Sequence, residues 1–366
     1  MTAGSEAAAE LFRTAAYHYE LPRELVATRP PAARDQARLL VLGREAGADP
    51  IRHRHFADLS EFLRAGDCLV LNETQVLKSR LYGRRPDTGG TVELLLLGPA
   101  PGDDPAVWDA IGRPGKRLLP GCRIELAEGA MAGEVLSLEA GGRRRMRLTT
   151  TSGTVLEQMA EVGHVPIPPY LGRKDDERDV SDYQTVYARV PGGVAAPTAG
   201  LHFTPELLAA LAASGIGIAR LTLHPGPGTF RPVEADDLRA HRLDPERFDL
   251  PEEVARTIAA TKSGGGRVVA VGTTVVRTLE AQAIAARAAG DPRPVMPGAG
   301  ETGLFIHPPF AFQVVDALIT NFHLPQSTLL MLVCAFAGRE RVLEAYREAV
   351  ARGYLFYSYG DAMLIA

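Results

Sequence analysis

The sequence contains few cysteines and no long apolar run, and each shortage argues against a class of protein. Its three cysteines among 366 residues are widely spaced and form no Cys-x-x-Cys pair: Cys68, Cys122 and Cys334. This pattern argues against a disulfide framework and predicts a reducing, cytoplasmic location. The longest apolar run, 329–337, is too short to span a bilayer, and the first residues lack the pattern of a secretory signal. We therefore expect no membrane partner.

Positive charge and familiar ligand motifs are also scarce. The formal net charge is −4, so no overall positive field indicates a nucleic-acid partner. No Gly-x-Ser-x-Gly elbow is present, and the Gly272-Thr273-Thr274 loop lacks both the lysine of a Walker A loop and the Gly-x-Gly-x-x-Gly pattern. No His-x-x-x-His spacing occurs, and His53-x-His55 alone is a weak signal. We therefore predict no metal.

The sequence contains one segment with a β pattern, flanked on both sides by segments with an α/β pattern. Between 78 and 154, short strand-like segments such as 91–97 and 123–126 are separated by Gly, Pro and Asp turns, which predicts a small all-β barrel or sandwich. On either side, apolar strands alternate with helical segments, which is typical of an α/β fold. We therefore predict an α/β main domain, residues 1–77 and 155–366, with an inserted barrel-like β domain, residues 78–154.

The inserted segment is more basic than the rest of the chain. Residues 78–147 contain 12 Lys and Arg against 9 Asp and Glu. Either these residues form an ordinary solvated surface, or they form a face that contacts phosphates. The basic residues singled out are Arg84, Arg85, Arg113, Lys116, Arg117, Arg143, Arg144 and Arg145.

The stretch 194–203 is rich in small residues and leads into a helix start at Thr204-Pro205. Gly200 can adopt a positive φ, which other residues do not readily do. Thr198 and His202 would then lie beside a helix N-terminus, which favours an anionic group. The alternative is a buried turn with a hydrogen-bonded core histidine.

Other polar loops follow predicted strands. His224 lies in the Gly/Pro-rich loop 222–230, Gly272-Thr273-Thr274 opens a helix, and His323 follows a third strand. Ligands of α/β sheets bind at the carboxyl ends of strands, so these loops predict one shared pocket. The alternative for each histidine is a structural role, which is common for a lone histidine at a strand end. Arg277 either binds an anion or pairs with Glu280 on the surface.

Six runs carry a resemblance to a known family: 183–188, 195–204, 222–230, 270–274, 320–328 and 356–363. They resemble the S-adenosylmethionine:tRNA ribosyltransferase-isomerases of queuosine biosynthesis, over nearly the whole chain from Glu20. The resemblance implies an α/β domain with a small β-barrel domain. It also implies ribosyl transfer from the co-substrate S-adenosylmethionine to 7-aminomethyl-7-deazaguanine in tRNA, giving epoxyqueuosine and releasing adenine and methionine.

With that resemblance, we expect His202 or His224 to carry the proton transfers as the catalytic residue, in a monomeric cytoplasmic enzyme. The residues expected to bind substrate are Pro197, Thr198, Gly200, Gly226, Gly228, Thr229, Gly272, Thr273, Thr274, Arg277, Asn321, His323, Tyr359 and Asp361.

Several positions depart from the family's usual residues, among them Gln75, Asp244, Gly303 and Leu355. Two alternatives therefore stay open. One is a paralogue that uses S-adenosylmethionine with a small-molecule acceptor, or cleaves it, without tRNA. The other is a non-catalytic binder of S-adenosylmethionine or RNA.

Overall fold

The chain folds into two compact units. The computed structural model describes residues 9–45, 47, 50–230 and 233–366, without the side chains of Thr229 and Phe230. The first unit comprises Met1–Thr74, Thr185–Ala188 and Pro197–Ala366, and the second comprises Gln75–Gln184 and Arg189–Ala196. The first contains a mixed sheet covered by helices, and the second contains a closed barrel. The predicted fold class is therefore confirmed.

The regular elements of the described residues are numbered in chain order. The strands are β1 (Arg38–Leu42), β2 (Arg52–His55), β3 (Cys68–Asn72), β4 (Thr74–Val76), β5 (Arg80–Arg84), β6 (Thr91–Pro99), β7 (Val107–Arg113), β8 (Arg123–Leu126), β9 (Met131–Leu138), β10 (Arg144–Thr150), β11 (Val190–Gly193), β12 (Gly217–Leu223), β13 (Glu246–Leu250), β14 (Val268–Val271), β15 (Gly298–Thr302), β16 (Ala317–Asn321) and β17 (Ala362–Ile365). The α-helices are α1 (Val155–Val162), α2 (Asp179–Asp182), α3 (Pro205–Ala213), α4 (Glu252–Ser263), α5 (Thr273–Ala289), α6 (Thr328–Ala337) and α7 (Arg339–Ala351).

The main sheet has the strand order β15-β13-β12-β3-β14-β16-β17-β1-β2. Its four neighbouring strands β12, β3, β14 and β16 run parallel, so their carboxyl ends lie at one edge. Helices α4 to α7 pack on one face, and α3 with the short helix Phe56–Phe62 packs on the other. Burial on both faces explains why a strand such as β14 is apolar throughout.

The barrel closes in the order β10-β7-β6-β5-β8-β9, with every pair antiparallel. Alternate residues of β6, such as Leu94 and Leu96, point into its core. Helix α1 adds Val155 and Met159 to the same core. The second unit therefore extends past the predicted end at residue 154, because the apolar face of α1 is buried against the barrel.

Asn72, at the carboxyl end of β3, joins the central strands through its buried side chain. Its Nδ2 donates to the carbonyl oxygen of Leu223 (2.9 Å) and to Oγ1 of Thr274 (3.3 Å). Its Oδ1 accepts from the backbone N–H of Leu223 (3.0 Å) and of Thr74 (3.1 Å). All four hydrogen bonds that an amide side chain makes are therefore used, and they tie β3 to β12 and α5.

We predict that Asn72→Asp destabilises the protein by about 2–4 kcal/mol, because a buried carboxylate would face the Leu223 carbonyl and lose two donated hydrogen bonds. Gln75→Glu makes the same amide-to-carboxylate exchange at an exposed position and should change stability by less than about 0.5 kcal/mol. Urea unfolding of both variants measures the difference. Equal stabilities would show that the Asn72 hydrogen bonds do not hold the strands together.

Candidate active site

Loops from the four parallel strands meet at the carboxyl edge of the main sheet. Thr74 lies just beyond β3, and its Oγ1 is 2.8 Å from Nδ1 of His224, which follows β12. Thr274, in the first turn of α5 after β14, contacts Asn72 as described. Asn321 ends β16. The polar residues predicted at separate strand ends therefore share one edge, as the parallel strand order requires.

Gly272 brings a further segment to this edge. Its φ of 93° is one that residues with a side chain rarely adopt. A Cβ atom on Gly272 would lie 3.7 Å from Cβ of Ala199 and 3.8 Å from Oγ1 of Thr274. The 3-10 turn Thr198–His202 therefore packs beside the N-terminus of α5, and the predicted helix start is confirmed by the Thr204 hydroxyl, which accepts from the Leu207 N–H (3.1 Å).

Gly200 is required for a reason that the sequence analysis missed. Gly200 does not use its freedom to adopt a positive φ, since it is absent from the left-handed positions of the described chain. Instead, a Cβ atom there would lie 2.0 Å from the Tyr187 hydroxyl and 2.9 Å from Cγ2 of Thr185. Close packing by the segment 185–187, rather than backbone conformation, excludes a side chain at this position.

His202 is buried and has an unused ring nitrogen. Its ring lies 5.0 Å from that of Phe56, and its Nε2 makes no hydrogen bond to the described part of the chain. Burial lowers the pKa of His202 to about 4, although the Asp361 carboxylate and the Asn321 side chain act in the opposite direction. The Asn321 amide faces the His202 ring and favours its protonated form through a hydrogen bond, so the alternatives of a ligand-facing nitrogen and of a core histidine held by Asn321 both fit this geometry.

Asn321 also keeps an atom without a partner beside His202. Its Nδ2 donates to the carbonyl oxygens of Tyr357 (2.8 Å) and Ser358 (3.3 Å), which fixes the plane of the amide. Its Oδ1 is buried and accepts no hydrogen bond from the described residues. A fixed acceptor next to an unused imidazole nitrogen is suited to binding a polar group of a ligand.

His224 is the second neutral imidazole at the edge. Burial, together with the smaller effect of the nearby Arg247 guanidinium, lowers its pKa to about 4. At pH 7 both His202 and His224 are therefore uncharged, and each has a nitrogen lone pair that can accept a proton.

Arg277 does not take either role considered from the sequence. Its guanidinium forms a buried ion pair with Glu246 and donates to the carbonyl oxygens of Leu304 (3.0 Å) and Thr302 (3.3 Å). Glu280 instead accepts hydrogen bonds from the backbone of 313–315. Binding an external anion would break the Glu246 pair and leave that carboxylate buried without its counter-charge, which is strongly unfavourable.

The Arg277–Glu246 pair holds the His224 loop in place. Oε1 of Glu246 accepts from the N–H of Gly226 (2.8 Å), so the ion pair is tied to this loop. A Cβ atom on Gly228 would lie 3.6 Å from Oδ2 of Asp244. Thr229, the next expected ligand residue, has its side chain outside the described part of the structure.

His323 lies on the other face of the sheet from His202. In β16, Leu318 and Thr320 face the core under α4 to α7, whereas Ile319 and, by alternation, Asn321 face the opposite side. Nε2 of His323 is 2.8 Å from Oγ1 of Thr320, and its ring is fully buried. The ring thus turns back along the strand rather than toward Asn321, and a place for His323 in a nucleoside pocket stays a prediction.

The remaining candidates shape the backbone around the edge. Asp361 accepts from the N–H of Arg38 (2.7 Å) and of Leu355 (2.8 Å), which anchors the segment before β17. Tyr359 is buried in that segment. The Pro197 carbonyl accepts from the Gly200 N–H (2.8 Å) and so closes the turn that Thr198 begins.

Two kinds of feature are absent from the described residues. No group of three or more His, Cys, Asp or Glu side chains is arranged to hold a metal ion. No helix in the described ranges combines the length and the apolar character needed to cross a bilayer.

The comparison with known families identifies the family of the chain. The family model described as "Queuosine biosynthesis protein" matches residues 14–365. The chain belongs to this family. The site residues discussed above all lie within the matched range, so the resemblance noted from the sequence is confirmed.

Relatives that match over nearly their whole length share one name. Two of them are named S-adenosylmethionine:tRNA ribosyltransferase-isomerase. The protein of Thermus thermophilus is 51% identical over 96% of this chain and 98% of its own length. The protein of Heliobacterium modesticaldum is 49% identical over 96% of this chain and 99% of its own length. A crystal structure of S-adenosylmethionine tRNA ribosyltransferase from Thermotoga maritima is 37% identical. It aligns over 98% of this chain and 100% of that chain, with a TM-score of 0.52.

We predict that Gly200→Ala destabilises the protein by about 1–3 kcal/mol, because the added methyl group overlaps the Tyr187 hydroxyl. Adding Tyr187→Phe should recover part of that loss, since it removes the nearest atom. Gly226→Ala is the matched control: its nearest neighbour would be 3.8 Å away, so thermal unfolding should change little. Equal effects of the two single substitutions would contradict the packing argument.

We predict that acid weakens the fold through its buried neutral histidines. Burial lowers the pKa of His323 to about 3, whereas an unfolded histidine has a pKa of about 6.5. Between these values the unfolded chain binds one more proton, so stability falls as the pH is lowered. His323→Gln should reduce the slope of the free energy of unfolding against pH by about 1.4 kcal/mol per pH unit between pH 6 and 4. The exposed His18→Gln is the control, and identical slopes in urea titrations would refute the assignment.

Proposed function

We propose that this chain is an S-adenosylmethionine:tRNA ribosyltransferase-isomerase. It transfers the ribosyl group of S-adenosylmethionine to 7-aminomethyl-7-deazaguanine in tRNA and isomerises it, which yields epoxyqueuosine, adenine and methionine. The observation that carries this proposal is the family match over residues 14–365, together with relatives of 47–51% identity that bear this enzyme's name.

The proposed chemistry needs a base near the donor. The positive sulfur of S-adenosylmethionine acidifies the neighbouring 5′ carbon, and a neutral imidazole is suited to removing a proton there. His202 is our first candidate because its buried Nε2 has no partner among the described residues. His224 is the second, since its Nδ1 is already engaged with Thr74. Asn321 would orient the donor through its unused Oδ1.

The anionic end of the donor would lie at the N-terminus of α5. Thr273 and Thr274 place hydroxyl and backbone N–H groups there, and the helix dipole favours a carboxylate such as that of methionine. Arg277 is a positioning residue in this scheme: with Glu246 it holds the Gly226 backbone, and so the loop of His224. The small residues Gly200 and Gly272 would allow close approach of the nucleoside.

We further propose that the enzyme acts in the cytoplasm as a monomer. Its cysteines are all free among the described residues, which fits a reducing compartment. No observation favours the alternatives of a small-molecule acceptor or a silent binder, and both have distinct outcomes in the assay below.

The assay incubates the protein with S-adenosylmethionine, with and without tRNA bearing the aminomethyl-deazaguanine, and follows adenine, methionine and the nucleoside by mass spectrometry. We expect adenine release and epoxyqueuosine only with the tRNA. Adenine release without RNA would indicate the small-molecule paralogue, and donor binding without any product would indicate a silent binder.

We predict that His202→Ala lowers kcat by at least about 100-fold, because it removes the proposed proton acceptor. Binding of S-adenosylmethionine, measured by calorimetry, should persist. His18→Ala removes an exposed histidine outside the site and should leave turnover unchanged. Wild-type turnover in His202→Ala would exclude this residue from the mechanism.

A further inference from the structure

Two groups of basic residues in the barrel differ in their partners. The first group is paired with carboxylates: Arg84 with Glu125 (3.0 Å), Arg145 with Asp109 (3.2 Å) and Arg147 with Asp104 (3.7 Å). In these pairs the positive charge is largely compensated within the barrel, so they offer little to an external anion.

The second group lies at one end of the barrel and has no such compensation. Lys116, Arg117, Arg143 and Arg144 form no ion pair within the described residues, and we call these four the basic rim. Arg144 donates to the backbone carbonyl oxygens of Gly115 (2.7 Å) and Leu118 (3.4 Å) instead of to a carboxylate.

These hydrogen bonds explain why the four cations share one surface. Arg144 lies on the same side of β10 as the inward-facing Met146, and therefore at the end of the barrel. Its guanidinium is held against the turn Gly115–Arg117, which carries Lys116 and Arg117 at exposed positions. Arg143 precedes it in the β9–β10 connection and donates to the Ala140 carbonyl oxygen (3.3 Å).

A small groove of about 230 Å³ lies beside the basic rim. It is lined by Arg85 and Arg117, by Thr88, Gly90 and Thr91, and by the apolar residues Val92, Pro114 and Leu118. The nearby Asp87 is already paired with Arg85 at 2.5 Å. Hydroxyl and guanidinium groups around a groove are the usual donors to phosphate oxygens.

We propose that the basic rim binds the phosphodiester backbone of the tRNA acceptor. The inference rests on the proposed function, and it assigns to the barrel a role in holding RNA rather than in chemistry. In a chain of net charge −4, four uncompensated cations on one surface create a local positive field. Phosphate contacts of this kind set register and affinity without reading sequence.

The test compares two triple variants of equal charge. Lys116→Gln/Arg117→Gln/Arg143→Gln removes three rim cations but keeps Arg144, whose hydrogen bonds hold the turn. Arg84→Gln/Arg145→Gln/Arg147→Gln removes three paired cations from the same barrel. Affinity for the tRNA is measured by fluorescence anisotropy over a range of KCl concentrations, alongside thermal unfolding and S-adenosylmethionine binding.

We expect the rim variant to reduce the slope of log Kd against log salt by about 2–3, with affinity on the order of 10- to 100-fold weaker near physiological salt. Donor binding and thermal stability should match the wild type, and the paired-cation variant should keep the wild-type slope. Wild-type affinity and slope in the rim variant would overturn the proposal that the basic rim binds tRNA, while leaving the proposed function intact. A wild-type protein that bound no tRNA would overturn both. Equal losses of tRNA affinity in the two variants would also overturn the rim proposal, because the change in total charge would then explain the result.

Discussion

The amide of Asn72 is the constraint on which the candidate site depends. At the end of β3 it forms hydrogen bonds with the backbone C=O and N–H of Leu223 in β12, as a peptide group of a neighbouring strand would. It also donates to Thr274 in the first turn of α5. Because the group is buried and makes all four of its hydrogen bonds, it has one satisfactory arrangement. The loops of His224 and Thr274 are thereby fixed relative to β3, so side chains of a site at this edge are held in fixed positions.

The apolar strands and long helices of the first unit were predictable because their patterns are local. In that unit α5 begins within one residue of its predicted start at Gly272-Thr273-Thr274, and in the barrel β8 has the predicted bounds 123–126. β2 and β15 were not predicted, for physical reasons. β2 reads Arg-His-Arg-His at a sheet edge, and β15 is rich in glycine, so neither has an apolar face to reveal it. Their strand character comes from the partner that each one pairs with, which no local pattern contains.

The candidate site was partly predictable for a similar reason. That His224, Thr274 and Asn321 meet follows from parallel strands, which the sequence pattern indicates. The Arg277 partner did not follow, since Glu246 is 31 residues away and on another element. His323 offered a signal that was missed: it follows Thr320 by three residues, and strand alternation puts Thr320 on the face opposite Asn321.

The two asparagines of the sequence make opposite use of the same side chain. Asn72 satisfies every donor and acceptor within the protein, whereas Asn321, at the end of a strand in the same sheet, leaves Oδ1 without a partner beside the unused Nε2 of His202. A buried acceptor left without a partner costs about 1–3 kcal/mol, and either the neighbouring His202 ring or a polar group of a ligand can supply the hydrogen bond to Oδ1. Rigid groups around such a pair need no reorganisation when a ligand supplies the missing hydrogen bonds. The contrast therefore separates the part of the edge that maintains the fold from the part that is suited to hold the donor.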